Sequence, residues 1–370
     1  MNPRTNPAIV PKIPNPKIIC IAASGSIDSI HISLFIILTY QTKYFMSKIL
    51  IKIEEVKPEP FKRIAWKLSN VCNYNCDYCY PADKNGSSPF IDIQTNKNVV
   101  DKLCELYAGE KILFNFTGGE PTLYPYLHEL FAYIKQKNQN YYISMFTNGS
   151  RTMRWWDEFL KVPVVDNIYF TFHNSQVKDV DKFVEVVNTI HDLEIDGSIF
   201  FTCTDIDFED NLKKFNYVAE KVGILCHLKK IHGPILNNYD DNQDEILQLS
   251  RIKNGILSST KKKSKINNFE HYGNLFYDDG SVEKLTDPQE ILVRGQNKFL
   301  GWKCDIGIER LVILVDKVQR GRCGVGGTVS SIYDDFNLIT TPVTCTKRIC
   351  VCGGEFFETK SSPFLNVIKK

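Results

Sequence analysis

The stretch Val71-Cys72-Asn73-Tyr74-Asn75-Cys76-Asp77-Tyr78-Cys79-Tyr80-Pro81 places three cysteines at C-x3-C-x2-C spacing among small, polar and aromatic residues. Closely spaced thiolates on a short loop hold iron–sulfur clusters, usually four cysteines to a cluster. Three thiolates on a four-iron cluster leave one iron without a protein ligand. An open position on a metal is what catalytic sites keep and structural sites close. The spacing points to a reactive cluster. Taken alone, it leaves a zinc loop and a disulfide pair open as other readings.

Outward from this loop the chain alternates short apolar runs with amphipathic ones. Residues 64–69 read as a strand that runs straight into the cysteines, and residues 94–107 show helical periodicity through Val99, Val100, Leu103 and Leu106. Further strands are expected at 111–116, 141–146, 167–172, 197–204 and 224–231, with helices at 126–137, 153–160, 180–193 and 210–222 between them. This is a β-α alternation with six strands, the pattern of parallel strands joined by crossover helices. Polar residues collect just after the strand ends, at Thr117-Gly118-Gly119-Glu120-Pro121-Thr122, Thr147-Asn148-Gly149 and His173-Asn174-Ser175. Parallel sheets and βα-barrels build their sites at those ends. One active site at the top of a barrel is the expectation.

The 370 residues suffice for two domains, or for one barrel with an appendage. With 43% hydrophobic and 24% charged residues, the composition is that of an ordinary globular protein. Lys and Arg total 45 against 43 acidic residues, a net charge of +2 that gives no support to a nucleic-acid or membrane-surface partner. The basic run Lys261-Lys262-Lys263-Ser264-Lys265 reads as a solvated loop. Eight of the 12 cysteines fall in two groups: Cys72, Cys76 and Cys79, then Cys304, Cys323, Cys345, Cys350 and Cys352. Such grouping favours metal binding in a reducing compartment, hence the cytoplasm, over disulfides. Cys20, Cys104, Cys203 and Cys226 are expected to be small buried hydrophobes.

Residues 1–45 do not read as the start of a folded domain. Five prolines between Pro3 and Pro16 block regular structure, and the apolar run at 18–40 carries Asp28 and His31 near its centre. A central acidic residue costs roughly 2.5–3.5 kcal/mol on the membrane-insertion scale, so no stable membrane span is expected. Met46 precedes a clean start, so residues 1–45 are read as a flexible leader or a non-native extension. After Gly233 the β-α pattern breaks. A polar stretch at 237–244, a helix at 245–256 and a linker at 258–268 follow, then Asp-Gly turn chemistry at Asp278-Asp279-Gly280-Ser281 between two β-like runs. A small second domain begins near Phe299, with a strand at 311–315 turning through Asp316-Lys317 into a partner at 318–322.

The cysteine triad, Tyr78 just before its last cysteine, and Gly118-Gly119-Glu120 after the second strand together resemble the radical SAM superfamily. The resemblance covers about residues 63–235 and, with the C-terminal cysteines, runs to about 355. It implies an α/β fold: a partial (β/α)6 barrel with a small C-terminal cysteine-rich α+β auxiliary-cluster domain. The expected layout is barrel 46–235, linker region 236–298, auxiliary domain 299–358 and tail 359–370. The implied cofactors are a [4Fe-4S] cluster on Cys72, Cys76 and Cys79, S-adenosylmethionine (SAM) on its open iron, and an auxiliary [4Fe-4S] cluster. Tyr78, Gly118, Gly119, Glu120, Thr147, Asn148, His173 and Ser175 match the family's SAM-contact region. His173 reads equally as a structural histidine at a strand end, and Lys229 and Lys230 read as substrate-facing or solvated.

The C-terminal group, from Gly301-Trp302-Lys303-Cys304 through Arg320-Gly321-Arg322-Cys323 to Cys345, Cys350 and Cys352, resembles the twitch or SPASM type of auxiliary domain. Two departures stand out. Only five cysteines are present where the full SPASM pattern has more, and no glycine marks the hairpin turn at Asp316-Lys317. One auxiliary cluster, with four ligands from five candidates, fits better than two; a zinc site is the other reading. The resemblance further implies a one-electron donor such as flavodoxin or ferredoxin. The substrate is expected to be a peptide or protein side chain, with a small molecule as the alternative.

Overall fold

The computed structural model describes residues 48–56, 61–79, 84–88, 90–203, 208–230, 257–258, 272–285, 291, 294–350 and 358–363. Outside them lie the leader at 1–45, the helix at 245–256, the basic run at 261–265 and Cys352, together with the side chains of Lys229 and Lys230.

Strand β1 (Leu50–Glu55) precedes β2 (Phe61–Lys67), which runs into the cysteine loop. Helices and strands then alternate: α1 (Ile93–Leu106), β3 (Lys111–Thr117), α2 (Leu127–Lys137), β4 (Tyr142–Thr147), α3 (Met153–Phe159) and β5 (Asn167–His173). The series continues with α4 (Val180–Asp192), β6 (Asp196–Cys203), α5 (Phe208–Lys221) and β7 (Leu225–Lys230). Strands β2 to β7 are parallel and sit in chain order, without closing on one another. The six-stranded β-α reading is therefore formed, as an open, partial barrel.

Local sequence explains the elements. Asp92 caps α1 by accepting from the Thr95 N–H at 2.9 Å, and Asp179 caps α4 by accepting from the Lys182 N–H at 3.0 Å. Val99, Val100 and Leu103 of α1 are buried, three and four residues apart, as one face of a helix requires. Successive strand residues point to opposite faces. Phe114 and Phe116 of β3 are fully buried in the main core, with Phe116 4.6 Å from Phe131 of α2 between ring centroids. Phe170 and Phe172 of β5 likewise lie against Phe183 of α4. The opposite parity carries a chain of ring contacts inside the barrel, Phe146 to Tyr169 at 4.7 Å, Tyr169 to Phe200 at 6.0 Å and Phe200 to His227 at 4.9 Å.

Residues 310–331 depart from the sequence expectation of a separate second domain. Strand β8 (Leu257–Ser258) pairs with β7 at one edge of the barrel sheet. At the other edge β12 (Arg310–Leu314) pairs parallel with β2, Leu314 opposite Lys67, and β13 (Lys317–Gln319) and β14 (Thr328–Ser331) follow antiparallel. The barrel sheet thus gains a strand from far along the chain. The β12–β13 turn places Val315 at φ 56°, a left-handed conformation that a β-branched residue seldom takes. Val315 occupies the turn position where a glycine was looked for.

A second, antiparallel sheet has the order β10-β9-β1-β16-β11-β15. Its further strands are β9 (Gly273–Tyr277), β10 (Val282–Leu285), β11 (Lys303–Cys304), β15 (Val343–Thr344) and β16 (Lys360–Ser361). The β9–β10 turn forms at the expected Asp-Gly step, with Gly280 at φ 81° and the Tyr277 N–H donating to Ser281 O at 3.0 Å. These strands lie in the stretch read as linker from sequence. Ion pairs of Arg63 with Glu55 and of Arg310 with Glu358 at 3.0 Å link the barrel sheet to the second sheet and its flank, and Lys62 pairs with Glu309 at 2.8 Å where β12 meets β2.

Gly197 of β6 sits opposite Ile168 of β5, and a Cβ there would lie 2.0 Å from the Ile168 carbonyl oxygen. The neighbour is backbone in the middle of the sheet and cannot step aside. Gly197→Ala is expected to lower stability by roughly 1–3 kcal/mol, the range for overpacking, measured as the urea midpoint against wild type.

Candidate active site

A cavity of about 770 Å³ opens at the C-terminal ends of β2 to β5. Cys72, Cys76, Cys79, Tyr78, Gly118, Gly119, Glu120, Thr147, Asn148 and His173 all line it. The structure thus gathers nine of the barrel's expected positions and Tyr78 around one space, although they come from four different strand ends.

The cysteine loop is tied down at several points. Val71 bridges to Asn85, while Asn70 donates to Asn85 Oδ1 at 2.8 Å and accepts from the Ser88 N–H at 2.7 Å. The Cys79 N–H donates to Cys76 O at 3.1 Å, and Lys84 Nζ donates to the same carbonyl at 2.5 Å. Asn148 Nδ2 donates to Asn73 Oδ1 at 2.9 Å, Asn73 Nδ2 to Ser150 Oγ at 2.8 Å, and the Asn75 N–H to Gln176 Oε1 at 3.2 Å. Side chains after β4 and β5 therefore hold the loop that follows β2. Asn70, Asn73, Lys84 and Gln176 were not singled out from sequence. Asparagines inside the motif were its only local signal.

Burial pushes the Cys72 thiol up and drives Cys76 up to about 11, with the neighbouring cysteines adding to the rise and Lys84 opposing it. Without a metal the thiols hold their protons, so metal binding must displace them. Among the described residues no group of three or more Cys, His, Asp or Glu is close enough to hold a single metal ion. Thiolates of an iron–sulfur cluster bind separate irons and stand further apart. An all-sulfur donor set facing one cavity suits such a cluster.

The Gly118-Gly119 turn crosses the loop with no room to spare. A Cβ on Gly119 would lie 2.2 Å from the Val71 carbonyl oxygen, and one on Gly118 would lie 2.0 Å from Lys67 Cγ. Both glycines have positive φ, 85° and 49°, and the Glu120 N–H donates to Val71 O at 2.8 Å. Glu120, expected in the SAM-contact region, lines the cavity, and its side chain is 1% exposed and engaged: Oε1 accepts from the Thr122 N–H at 3.0 Å, Thr122 Oγ1 at 2.7 Å and Thr147 Oγ1 at 2.7 Å, and Oε2 from the Asn148 N–H at 2.7 Å. Burial raises its pKa, and these donors pull it back down. Glu120 holds the strand ends β3 and β4 together.

Tyr78 is buried and its hydroxyl meets His173 Nδ1, with the two rings stacked 5.9 Å apart. Tyr74 packs edge-on against His173 at 5.9 Å, and burial pushes the Tyr74 hydroxyl up to about 12. Burial holds His173 down at about 4. Ser175 is exposed and is not among the residues that line the cavity; the chain turns after β5, where the Gln176 and Val177 N–H groups both donate to His173 O at 2.9 Å.

In the second sheet, β11 pairs with β15, which sets Cys304 opposite Val343 and close to Cys345. Cys345, with Cys323 and Cys350 packed beside it, shares one apolar cluster with Phe299 and Val325. The Cys345 N–H donates to Trp302 O and the Cys350 N–H to Asn297 O, both at 2.8 Å. Four of the five C-terminal cysteines thus share one region; Cys352 lies outside the described residues. Cys226 is fully buried, as expected, and Cys104 half-buried.

Glu120→Ala leaves the buried Thr122 and Asn148 N–H groups without their acceptor, at roughly 1–3 kcal/mol each. A lowered urea midpoint and loss of amide-exchange protection at Asn148 are expected, with Glu120→Gln milder. The pH response of His173 has a definite sign. Between its ordinary 6.5 and about 4, the unfolded chain binds a proton that the folded histidine does not. Its contribution is therefore present above 6.5 and lost as pH falls toward 4. Urea midpoints at two pH values, compared with His173→Asn, read this directly.

Residues 66–215 match the family model described as the Radical SAM superfamily. The radical SAM cyclopropyl synthase TigE of Paramaledivibacter caminithermalis is 25% identical over 230 residues, 54% of this chain and 48% of that protein. An S-adenosylmethionine-dependent nucleotide dehydratase of a Thermoplasmatales archaeon is 36% identical over 89 residues, 23% of this chain and 28% of that protein. The chain spans less than half the length of either relative. The solved structure of anSMEcpe with bound AdoMet superposes with TM-score 0.48 and 18% identity, covering 74% of this chain and 78% of that one. Among the described residues no helix is long and apolar enough to cross a membrane. The cysteine loop, the Gly-Gly-Glu turn and the strands that carry them lie within residues 66–215, the stretch that matches the radical SAM superfamily model.

Proposed function

We propose that this chain is a radical SAM enzyme that cleaves S-adenosylmethionine reductively at a [4Fe-4S] cluster held by Cys72, Cys76 and Cys79. The observation that carries the reading is the convergence of the three cysteines with the Gly118-Gly119 turn, Thr147-Asn148 and Tyr78 on one cavity. A cluster held by Cys72, Cys76 and Cys79 would supply one electron for the reductive cleavage of SAM, and with it radical chemistry at an unactivated carbon of the substrate. The chain's part is to fix geometry. Gly118 and Gly119 keep the wall low enough for backbone to approach a ligand. Asn73, Asn148 and Gln176 fix the cysteine loop, and His173 fixes the Tyr78 ring beside it.

An auxiliary [4Fe-4S] cluster on four of Cys304, Cys323, Cys345, Cys350 and Cys352 belongs to the same proposal, supported by the clustering of the first four. Flavodoxin or ferredoxin would donate the electron, in the cytoplasm. For the substrate, the twitch-like or SPASM-like C-terminal region supports a peptide or protein side chain. A small molecule is favoured by a different observation, the cationic wall of the cavity developed below.

Anaerobic reconstitution tests the proposal. About eight irons per chain are expected for two clusters, and dithionite with SAM should release 5′-deoxyadenosine. Zinc in place of iron, or no deoxyadenosine, would sink the enzyme reading and leave a non-catalytic metal protein. Cys76→Ala should abolish cleavage. Cys350→Ala should retain the electron-paramagnetic signal of the barrel cluster while losing about four irons.

A further inference from the structure

The cavity has a second wall besides the one that carries the cysteines. Its first wall is the cysteine loop and the Gly-Gly-Glu turn. The second is the β12–β13 hairpin and the residues just after it, which contribute Asp316, Lys317, Gln319 and Arg322. Pairing with β2 fixes that hairpin: Leu314 stands opposite Lys67, and the Val315 N–H donates to Lys67 O at 2.9 Å. Lys67 joins the two walls. Its aliphatic stem lies where a Cβ on Gly118 would be, and the residue lines the cavity. The hairpin turns through Val315 at φ 56°, and left-handed non-glycine residues cluster at ligand clamps.

The charge on this wall differs from that of the whole chain, where 45 basic residues face 43 acidic ones. Lys67, Lys317 and Arg322 line the cavity against two carboxylates, Asp316 and Glu120. Glu120 is buried beneath four donors, which leaves Asp316 as the one exposed carboxylate of the lining. The three basic residues outnumber the one exposed carboxylate, and an excess of one sign of charge in a cleft favours ligands of the other. A guanidinium matches a carboxylate or phosphate with two parallel hydrogen bonds, and an ammonium adds a point charge. Gln319 supplies a neutral donor and acceptor between them.

We propose that the β12–β13 wall is an anion subsite, in which Lys317 and Arg322, with Lys67 beside them, hold a carboxylate or phosphate group of a small-molecule substrate. This rests on the reading of the cavity as the place where SAM is cleaved. The anion would anchor one end of the substrate and leave the other end toward the cysteine loop. Lys317 and Arg322 are specificity residues in this account, and they touch the substrate away from its reacting carbon.

The test uses the full chain, reconstituted anaerobically, with pyrophosphate and citrate as probes in calorimetric titrations, with and without saturating SAM. One probe should bind saturably, and its affinity should fall at least tenfold in Lys317→Gln and in Arg322→Gln. Added salt should weaken wild-type binding more than that of the variants. Tighter pyrophosphate identifies a phosphate; tighter citrate identifies a carboxylate. Arg322 precedes Cys323, so iron content and the electron-paramagnetic signal of each variant check that its clusters are intact. Lys317→Gln stands alone if Arg322→Gln loses iron. Failure of both probes to bind, or unchanged binding in Lys317→Gln, would overturn the proposal. So would mutual exclusion of probe and SAM, since the wall would then hold the carboxylate of SAM itself. Deoxyadenosine release is scored separately. Anion binding without it refutes the reaction and keeps the subsite; release without anion binding does the reverse.

Discussion

The hydrogen bond from the Glu120 N–H to the Val71 carbonyl, 2.8 Å long and made across two glycines that leave no space for a Cβ, sets the rest of the site. It fixes the height of the turn after β3 against the loop after β2. Because Glu120 also gathers donors from Thr122, Thr147 and Asn148, the same residue locks the start of the loop after β4. Asn148 then passes the constraint back to the cysteine loop through Asn73. Three strand ends become one rigid body through a closed circuit of hydrogen bonds. Buried networks of this kind stay costly to break because each member, once orphaned, carries the full desolvation penalty.

The barrel half of the molecule was legible because its signals are local. Trp66, Phe114, Phe116, Phe170 and Phe172 alternate with polar or inward-facing residues, and parallel strands between amphipathic helices leave few other topologies. The cysteine spacing and the Gly-Gly step gave the loop and the turn. The role of the Glu120 side chain was not legible, since an acid beside a Gly-Gly turn reads the same whether it faces a ligand or closes a circuit. The placement of Ser175 was not legible for a related reason. It lies only two residues beyond His173, and where a chain turns after a strand depends on backbone bonds that composition does not encode.

The C-terminal half was the harder part. The expected strand at 311–315 and its partner at 318–322 correspond to β12 and β13, with the turn at Val315-Asp316, and β12 pairs with β2, far earlier in the chain. A parallel pairing at that separation has no turn residue to announce it, and register follows only when both faces are packed. The missing glycine at the hairpin had a physical answer as well. Val315 takes the left-handed position, held by its N–H on Lys67 O and by burial, so local propensity yielded to tertiary context.

The site's titratable groups share one tendency. Burial pushes Cys76 up to about 11 and Tyr74 up to about 12, raises Cys72 and Glu120, and lowers His173 to about 4. For each group that shift favours the uncharged form. Around the cysteine loop the polypeptide alone therefore resists charge, although its donor set there is one that binds metal only as thiolates. Lys84, held on the Cys76 carbonyl, opposes the rise at both Cys72 and Cys76. A positively charged guest reverses the balance: it stabilises the thiolates, which burial penalises while the site is unmetallated. Loading and ordering of the loop are then one equilibrium, and the hydrogen bonds from Asn148, Ser150 and Gln176 that hold the loop in advance lower the conformational entropy that loading must overcome.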